Sequence, residues 1–465
     1  MKMMRHTYII VVASAILAGS MSSCNIYRKY QRPEMRTEGL YRDVNSDTDT
    51  LKGDTTNFGN LPWREVFTDP QLQALIEEGL ANNLDLQTAA LRVKEYEAQL
   101  TSARLAYLPS FNFAPSGTLS SFDKAKPSQT YQLPVAASWE IDIFGRILNS
   151  KRAAKAALLQ SEEYRQAVQT QVVAGIANAY YTLLMLDSQL SLSEETLKTW
   201  EESVRTTRNL KDAGLARQAA VSQSEAQCRS VEISVNDLRR QVRETENALC
   251  LLLGRPAGQI ERGMLDEQVL PARLSAGVPV QLLSNRPDVR QAEAALMAAY
   301  ASTNIARSAF YPNLSLSGTA GWTNNAGVAV VNPGKLILSA VASLTQPIFN
   351  AGANRAQLKV AKAQQEEARL AFQKALLSAG NEVSDAFYLY KTLQDTKLAR
   401  EEQIMALEAA VMETETVYKL ESGTYLEVLT ARQSLLGAQL SQVADACQEL
   451  QAVVTLYQAL GGGRY

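Results

Sequence analysis

Apolar residues recur along this chain with two different periods. Tyr131, Leu133, Val135, Ala137, Trp139, Ile141 and Ile143 alternate with Gln132, Pro134, Ala136, Ser138, Glu140 and Asp142, and Leu314, Leu316, Gly318, Ala320 and Trp322 alternate with Asn313, Ser315, Ser317 and Thr319. A period of two predicts strands. Phe111, Phe113 and Leu119 mark a third strand segment, and Leu336, Leu338, Ala340, Ala342 and Leu344 a fourth, giving two hairpins with polar tips near 120–128 and 323–334. Elsewhere the period is helical. Leu72, Leu75, Ile76 and Leu80 fall three or four residues apart, and Asn83-Leu84-Asp85 opens a second helix with a carboxylate in its first turn, where it suits the helix dipole. Arg146 to Asp212 and Ala353 to Lys419 contain no proline. At 1.5 Å per residue each predicts a helix on the order of 100 Å long. A returning helix follows each, ending at Leu253-Gly254 and Leu460-Gly461. The stripe Leu436, Leu440, Val443, Cys447, Leu450, Val454 and Tyr457 alternates spacings of four and three, the coiled-coil rule.

The same pattern occurs twice. An offset of 207 pairs Gly145 with Gly352, Asn178-Ala179-Tyr180-Tyr181 with Asp385-Ala386-Phe387-Tyr388, Val221 with Val428 and Gly254 with Gly461, and an offset of 203 pairs Asp85 with Asp288, Ala103-Arg104 with Ala306-Arg307 and Pro109 with Pro312. A fixed long period means two copies of one structural unit. The expected organisation is a targeting segment over 1–23, a tether over 24–62 and a first repeat over 63–254, with its hairpin at about 109–144 and helix pair at 146–253. A linker over 255–284 leads to a second repeat over 285–461, with its hairpin at about 312–349 and helix pair at 353–460, and a tail over 462–465.

Composition narrows the function. A formal net charge of −2 over 465 residues leaves no basic face for nucleic acid. Lys2 and Arg5 precede an apolar run from Tyr8 to Ala18 and then Met21-Ser22-Ser23-Cys24, an export signal whose cysteine sits where a lipoprotein is acylated. The only histidine, His6, lies in that signal, so histidine bases, triads and histidine metal sites are excluded from the mature chain. Cys228, Cys250 and Cys447 form no C-x-x-C pair; Cys228 and Cys447 fall in register with apolar stripes and are expected in the core. No phosphate loop, metal cluster or nucleophile-base pair is present, so the chain calls for no cofactor and no metal and is not expected to be an enzyme.

Past the signal, no apolar run approaches the roughly 18 residues of a spanning helix, so any membrane crossing must use strands. The alternating segments fit barrel strands, lipid outside and water inside, and a half-buried soluble sheet equally well. Four strands cannot close a membrane barrel, because open edges in lipid leave backbone groups unpaired. The membrane reading therefore requires oligomerisation.

Several stretches then resemble one family. Trp63 with Phe67-Thr68-Asp69-Pro70-Gln71-Leu72, Asn83 to Leu86, Ser138-Trp139-Glu140-Ile141-Asp142-Ile143-Phe144-Gly145-Arg146, Leu270-Pro271-Ala272 through Arg286-Pro287-Asp288-Val289-Arg290, and Gln346-Pro347-Ile348-Phe349 with Gly352 resemble, in order and spacing, the TolC-like outer-membrane factors of the NodT lipoprotein branch. The resemblance covers about Tyr30 to Gly461. It implies a mainly α protein with membrane β-structure: a homotrimer whose two hairpins per subunit build a twelve-stranded barrel, above long coiled-coil helices forming a periplasmic α-barrel. It also implies a periplasmic adaptor and an inner-membrane RND-type transporter as partners, outer-membrane lipid around the barrel, and a lipid anchor at Cys24.

By the same resemblance the helix-pair turns form the tip where the adaptor docks, at Gly214 and Leu215 in the first repeat and Gly423 and Thr424 in the second. The 207 offset sets Glu421 opposite Gly214, so the second glycine is displaced from the family position. A turn between helices needs such a glycine whether or not it docks a partner. The family narrows its tunnel just before that turn, where this chain has Met412, Glu413, Glu415, Tyr418 and Lys419. Inward acids repeated by symmetry would make a ring favouring cations, and a solvated helix face accounts for them as well. The expected function is a passive exit duct for small toxic solutes. The alternatives are a type I-like protein secretion duct and a structural coiled-coil lipoprotein without a pore.

Overall fold

The helices start and stop where local chemistry dictates. The computed structural model describes residues 27, 30–34, 40, 58–121, 123, 126–214, 216–269, 282–323, 335–420 and 425–464. The signal over 1–23, Cys24, most of the tether, Leu215, residues 270–281 of the linker, Glu421, Gly423 and Thr424 lie outside the described residues. After a 3-10 turn at Phe58–Asn60 come α1 (Trp63–Val66), α2 (Pro70–Asn82) and α3 (Leu84–Leu105). Next are β1 (Ser110–Phe113), β2 (Ser116–Ser120), β3 (Ser128–Ile141), α4 (Arg146–Asp212) and α5 (Gln218–Leu252). The second half holds α6 (Leu282–Asn285), α7 (Pro287–Ser308), β4 (Asn313–Thr323), β5 (Lys335–Thr345), α8 (Ala353–Lys419) and α9 (Tyr425–Ala459).

The duplication is preserved to the residue. α3 and α7 have 22 residues each, α4 and α8 have 67, and α5 and α9 have 35. The returning helices also end alike. Gly254 takes φ +70° and Gly461 φ +82°. Each is the left-handed residue of a Schellman turn: Gly254 N–H donates to Leu251 O and Arg255 N–H to Cys250 O, while Gly461 N–H donates to Gln458 O and Gly462 N–H to Tyr457 O. Both glycines also admit a close backbone approach, since a Cβ would lie 2.4 Å from Asn82 O at Gly254 and 2.7 Å from Asn285 O at Gly461.

The chain forms two compact units. The first comprises 1–35, 94–160 and 292–372 and contains the sheet. Its strands are antiparallel in the order β1/β2, β3, β4, β5. The strand expected around Phe111 to Leu119 is interrupted at Ala114-Pro115, yet β1 and β2 keep one register on β3, with Phe113 opposite Val135 and Ser116 opposite Gln132. Pro115 and Pro134 each lack the N–H a ladder needs, which opens the gap without slipping the register. Ala114 N–H still donates to Pro134 O at 3.2 Å.

The second unit comprises 36–93, 161–291 and 373–465. Its core is built from Trp63, Phe67, Leu72, Ile76, Ile176, Tyr180, Leu183, Leu249, Leu253 and Leu456, each nearly solvent-free. Toward the helix-pair turns, Trp200 and Val204 of α4, Cys228 and Val231 of α5 and Leu429 of α9 form a separate cluster. Cys228, Cys250 and Cys447 are free and buried. Burial lifts the Cys447 thiol to about 11. Among the described residues no helix is long and apolar enough to cross a membrane.

Candidate functional site

Residues opposite one another across an antiparallel ladder share a face. The register therefore sorts every strand position. Phe113, Val135, Ala320 and Leu338 form one row; Phe111, Ala137, Gly318 and Ala340 the next; then come Leu133, Trp322 and Leu336, then Trp139, Leu316 and Ala342, and finally Ile141, Leu314 and Leu344. These rows are apolar, and toward the hairpin tip the same face continues through Gly117 with Tyr131 and Leu119 with the polar Gln129. The other face carries Ser110, Ser138 and Ser317, then Asn112, Ala136, Thr319 and Ser339, then Gln132 and Thr323, and Glu140, Ser315 and Ser343, with Ile337 and Val341 its large apolar exceptions.

The apolar face is uncovered. Phe111, Phe113, Trp322, Leu336, Leu338 and Leu344 are all more than half exposed. Trp139 and Trp322 mark its two ends: their rows are six residues apart along β4, roughly 20 Å at 3.4 Å per residue. That approaches the roughly 25 Å apolar band between the aromatic girdles of a membrane barrel. Trp139 Nε1 donates to Tyr107 O at 2.9 Å, which satisfies its one polar atom. Below the sheet Glu140 pairs with Arg146, and the Asp142 carboxylate accepts from the N–H groups of Ile147 and Leu148 at 3.0 and 2.7 Å, capping α4. Among the described residues, β1/β2 and β5 each pair on one side only. Among the described residues the sheet has two open edges.

In the second unit, buried polar groups tie the linker to the helices. Tyr180 Oη donates to Asp69 Oδ2 at 2.6 Å and accepts from Gly263 N at 3.1 Å, and Gln268 Nε2 donates to the same carboxylate at 2.8 Å. Asp69 also caps α2, accepting from Gln71 N at 2.8 Å. Burial works to raise its pKa, but the bonds from Tyr180, Gln268, Gln71 and Leu72 together hold it below the ordinary value. Arg262 pairs with Asp187 of α4 and, at 2.6 Å, with Glu246 of α5; hydrogen bonding to Asp187 raises its pKa. Neither node was expected from the sequence. One signal existed: Phe387 stands at the repeat position of Tyr180, so the hydroxyl is peculiar to the first repeat.

At the helix-pair turns, Gly214 takes φ +76°, with no atom within 4 Å of a would-be Cβ. The candidates before the second turn fall into two sets. Glu415 accepts from Arg432 Nη2 and Nε at 2.5 and 3.1 Å, and Tyr418 packs its ring 5.2 Å from that of Tyr425, so both face α9. Met412 and Glu413 are exposed, and Glu413 has no cation partner among the described residues. The structure does not bring the four together.

The whole-chain comparisons settle what this arrangement is. Residues 75–255 and 278–462 match the profile of the outer membrane efflux protein family. The chain belongs to that family. The efflux protein TtgC of Pseudomonas putida KT2440, described as a probable efflux pump outer membrane protein, is 32% identical over 465 residues, covering 98% of this chain and 96% of the relative. The cation efflux system protein CusC of Escherichia coli CFT073 is 30% identical over 451 residues, covering 96% and 97%. Among solved structures, the open state of the Neisseria gonorrhoeae MtrE outer membrane channel superposes with a TM-score of 0.84 at 29% identity, covering 95% of this chain and 99% of that one. The fold is therefore TolC-like. An outer membrane efflux protein is a transport channel rather than an enzyme, and the exposed apolar face is the part of this chain suited to lipid.

Proposed function

We propose that this chain is the exit duct of a tripartite efflux system, conducting small solutes passively across the periplasm and outer membrane. The observation that carries the reading is the sheet: one largely apolar, exposed face, one mostly polar face and, among the described residues, two open edges. Lipid covers the first face and water the second, and only further copies can close the edges. Three copies give the twelve-stranded barrel, with Cys24 as lipid anchor. A periplasmic adaptor docks at the turns through Gly214, Leu215, Gly423 and Thr424, and an RND-type inner-membrane transporter supplies the energy and selects the cargo. Of the constriction candidates, Met412 and Glu413 are the side chains available to a lumen, since Glu415 and Tyr418 are engaged with α9.

The test is single-channel conductance of the purified protein in planar bilayers, with its oligomer mass measured in the same detergent. Discrete conductance steps from a trimer are expected, with cation preference reduced by Glu413→Gln. A folded monomer without conductance would leave a structural coiled-coil lipoprotein as the better account.

A further inference from the structure

The four helices that meet the sheet are unevenly charged. Moving along each away from the strands, the first acid is Glu97 on α3, Glu162 on α4, Glu293 on α7 and Glu366 on α8. The stretches before those acids hold nine basic residues. At the junction with the strands the acids are Glu140, paired with Arg146, and Asp142, whose carboxylate caps α4. Six of the nine cations are matched between the repeats: Arg104 with Arg307 by the 203 offset, and Arg152 with Lys359 and Lys155 with Lys362 by the 207 offset. Arg104, Lys155, Lys359 and Lys362 are exposed and pair with no carboxylate among the described residues. Arg152 and Arg307 donate to the neutral side chains of Asn149 and Asn304 at 3.3 and 3.1 Å.

Helix stability accounts for only part of this. Arg104 and Arg307 stand in the last turns of α3 and α7, where a cation suits the helix dipole. α4 and α8 start at the sheet, and the same dipole favours acids in their first turns, yet neither has one there. Arg146 opens α4, and Arg355 is the third residue of α8. The cations of α4 and α8 therefore answer to something outside the helices.

Their position says what. Trp139 marks the end of the apolar face nearest these helices, and aromatic and apolar side chains crowd the junction beyond it. Tyr311 stacks on Phe144 with ring centroids 5.1 Å apart, Lys151 Nζ lies 5.4 Å from the Tyr107 ring centroid, and Ile348 and Phe349 are almost wholly exposed. Such a belt marks the edge of the hydrocarbon. Beyond it the headgroup layer is roughly 5–8 Å deep on each side of a bilayer. At 1.5 Å per residue, Arg152 and Lys359 lie ~9 Å, and Lys155 and Lys362 ~14 Å, from the starts of α4 and α8. Their long stems carry the charges toward that layer, whose potential reaches about 8 Å further at physiological salt.

We propose that these helix ends form a basic collar that binds the phosphate groups of anionic phospholipids in the leaflet at the Trp139 end of the sheet. The occupant is a lipid surface rather than a free solute, because the cations are spread over four helices at the depth where the apolar band ends. The inference rests on the lipid-facing sheet of the duct proposed above and adds the headgroup class and the residues that select it.

The experiment uses the full-length protein reconstituted in vesicles of phosphatidylcholine and phosphatidylglycerol, with one lipid or the other carrying brominated acyl chains that quench tryptophan. Trp63 and Trp200 are buried and give a constant background. Trp322→Phe leaves Trp139 to report the collar end, and Trp139→Phe leaves Trp322 to report the far end. One basic residue near an anionic surface contributes about five-fold in affinity. Phosphatidylglycerol should therefore be preferred about five-fold or more at Trp139 and hardly at all at Trp322. Lys155→Gln, Lys359→Gln and Lys362→Gln together should abolish the preference. Lys198→Gln, Lys374→Gln and Lys391→Gln together, at exposed lysines outside the collar, should leave it unchanged. Conductance is recorded on the same preparations. A conducting protein with equal quenching by both lipids at Trp139, with the same preference at Trp322, or with a preference that survives loss of the three collar lysines overturns the collar alone. Survival of the preference with altered ion selectivity assigns those lysines to the lumen. Quenching of neither tryptophan by either lipid overturns the collar and the duct together.

Discussion

A charge placed on the sheet distinguishes lipid from water directly. Leu338 shares its row with Phe113, Val135 and Ala320, and on β4 that row lies one residue from the midpoint between the rows of Trp139 and Trp322. An arginine there sits about 3 Å from the centre of the apolar band at the usual strand rise. Near the midplane of a barrel's lipid face such a substitution costs about 2–4 kcal/mol. At 1.4 kcal/mol per decade this is roughly a 30- to several-hundred-fold loss in the folding equilibrium. Ser339 is the adjacent residue, opposite Thr319 on the other face, at nearly the same depth. Ser339→Arg should cost about 0–1 kcal/mol, since it points to water and alters the lumen instead. The assay is urea denaturation of vesicle-inserted protein followed by tryptophan fluorescence, at one protein concentration because oligomer stability depends on it. Equal destabilisation by the two variants, or the reverse order, refutes the assignment of faces.

Two further predictions concern the second unit. Tyr180→Phe should lower stability by about 1–3 kcal/mol, because it strands Gly263 N–H and removes a donor from Asp69 in a buried site. Since the folded pKa of Asp69 is depressed, its contribution is present above the ordinary value near 3.9 and lost as pH falls through the folded value. The variant should therefore lose less stability than wild type on acidification below that value, so the gap between their melting temperatures narrows as pH falls, and a melting series with a constant gap would count against the node. At the glycines, Gly214→Ala should cost about 1–2 kcal/mol for the left-handed backbone alone. Gly254→Ala should lower the melting temperature further, because its Cβ meets Asn82 O at 2.4 Å; equal shifts would show that the close approach relaxes freely.

Much of the fold was legible because each repeat reports on the other. The bounds of α4 and α8 follow from the proline-free stretches, and the 207 offset carries one helix onto the other. Alternation located the strands but not the break at Ala114-Pro115, which needs two prolines in successive pairs of a ladder the sequence does not display. The constriction candidates were less legible for a geometric reason. A 3.6-residue helix drifts about 20° per heptad against a 3.5 repeat, so the inward face of a 67-residue helix cannot be read from one stretch of it. Partner contacts decide, and those of Glu415 with Arg432 and Tyr418 with Tyr425 turn these two toward α9. The Arg262 cluster was hidden because Asp187 lies 75 residues and Glu246 16 residues away in sequence.

The duplication conserves backbone geometry and varies the chemistry mounted on it. Both returning helices end in the same Schellman turn, yet the helix each turn approaches is anchored differently. Asn83 Nδ2 donates to Leu252 O at 2.8 Å in the first repeat, whereas the equivalent Arg286 donates to Ala459 O at 3.0 Å and also pairs with Asp288 and Glu382. Near the helix-pair turns the contrast sharpens. Arg208 of α4 pairs with Glu225 of α5, and at the same positions of the second repeat Glu415 of α8 pairs with Arg432 of α9. The ion pair is kept and its polarity reversed. The basic members lie on α4 and α9 and the acidic members on α5 and α8, so the two repeats carry opposite charge patterns on one backbone geometry. Two equivalent units could not make that distinction, whereas two diverged copies of one unit can.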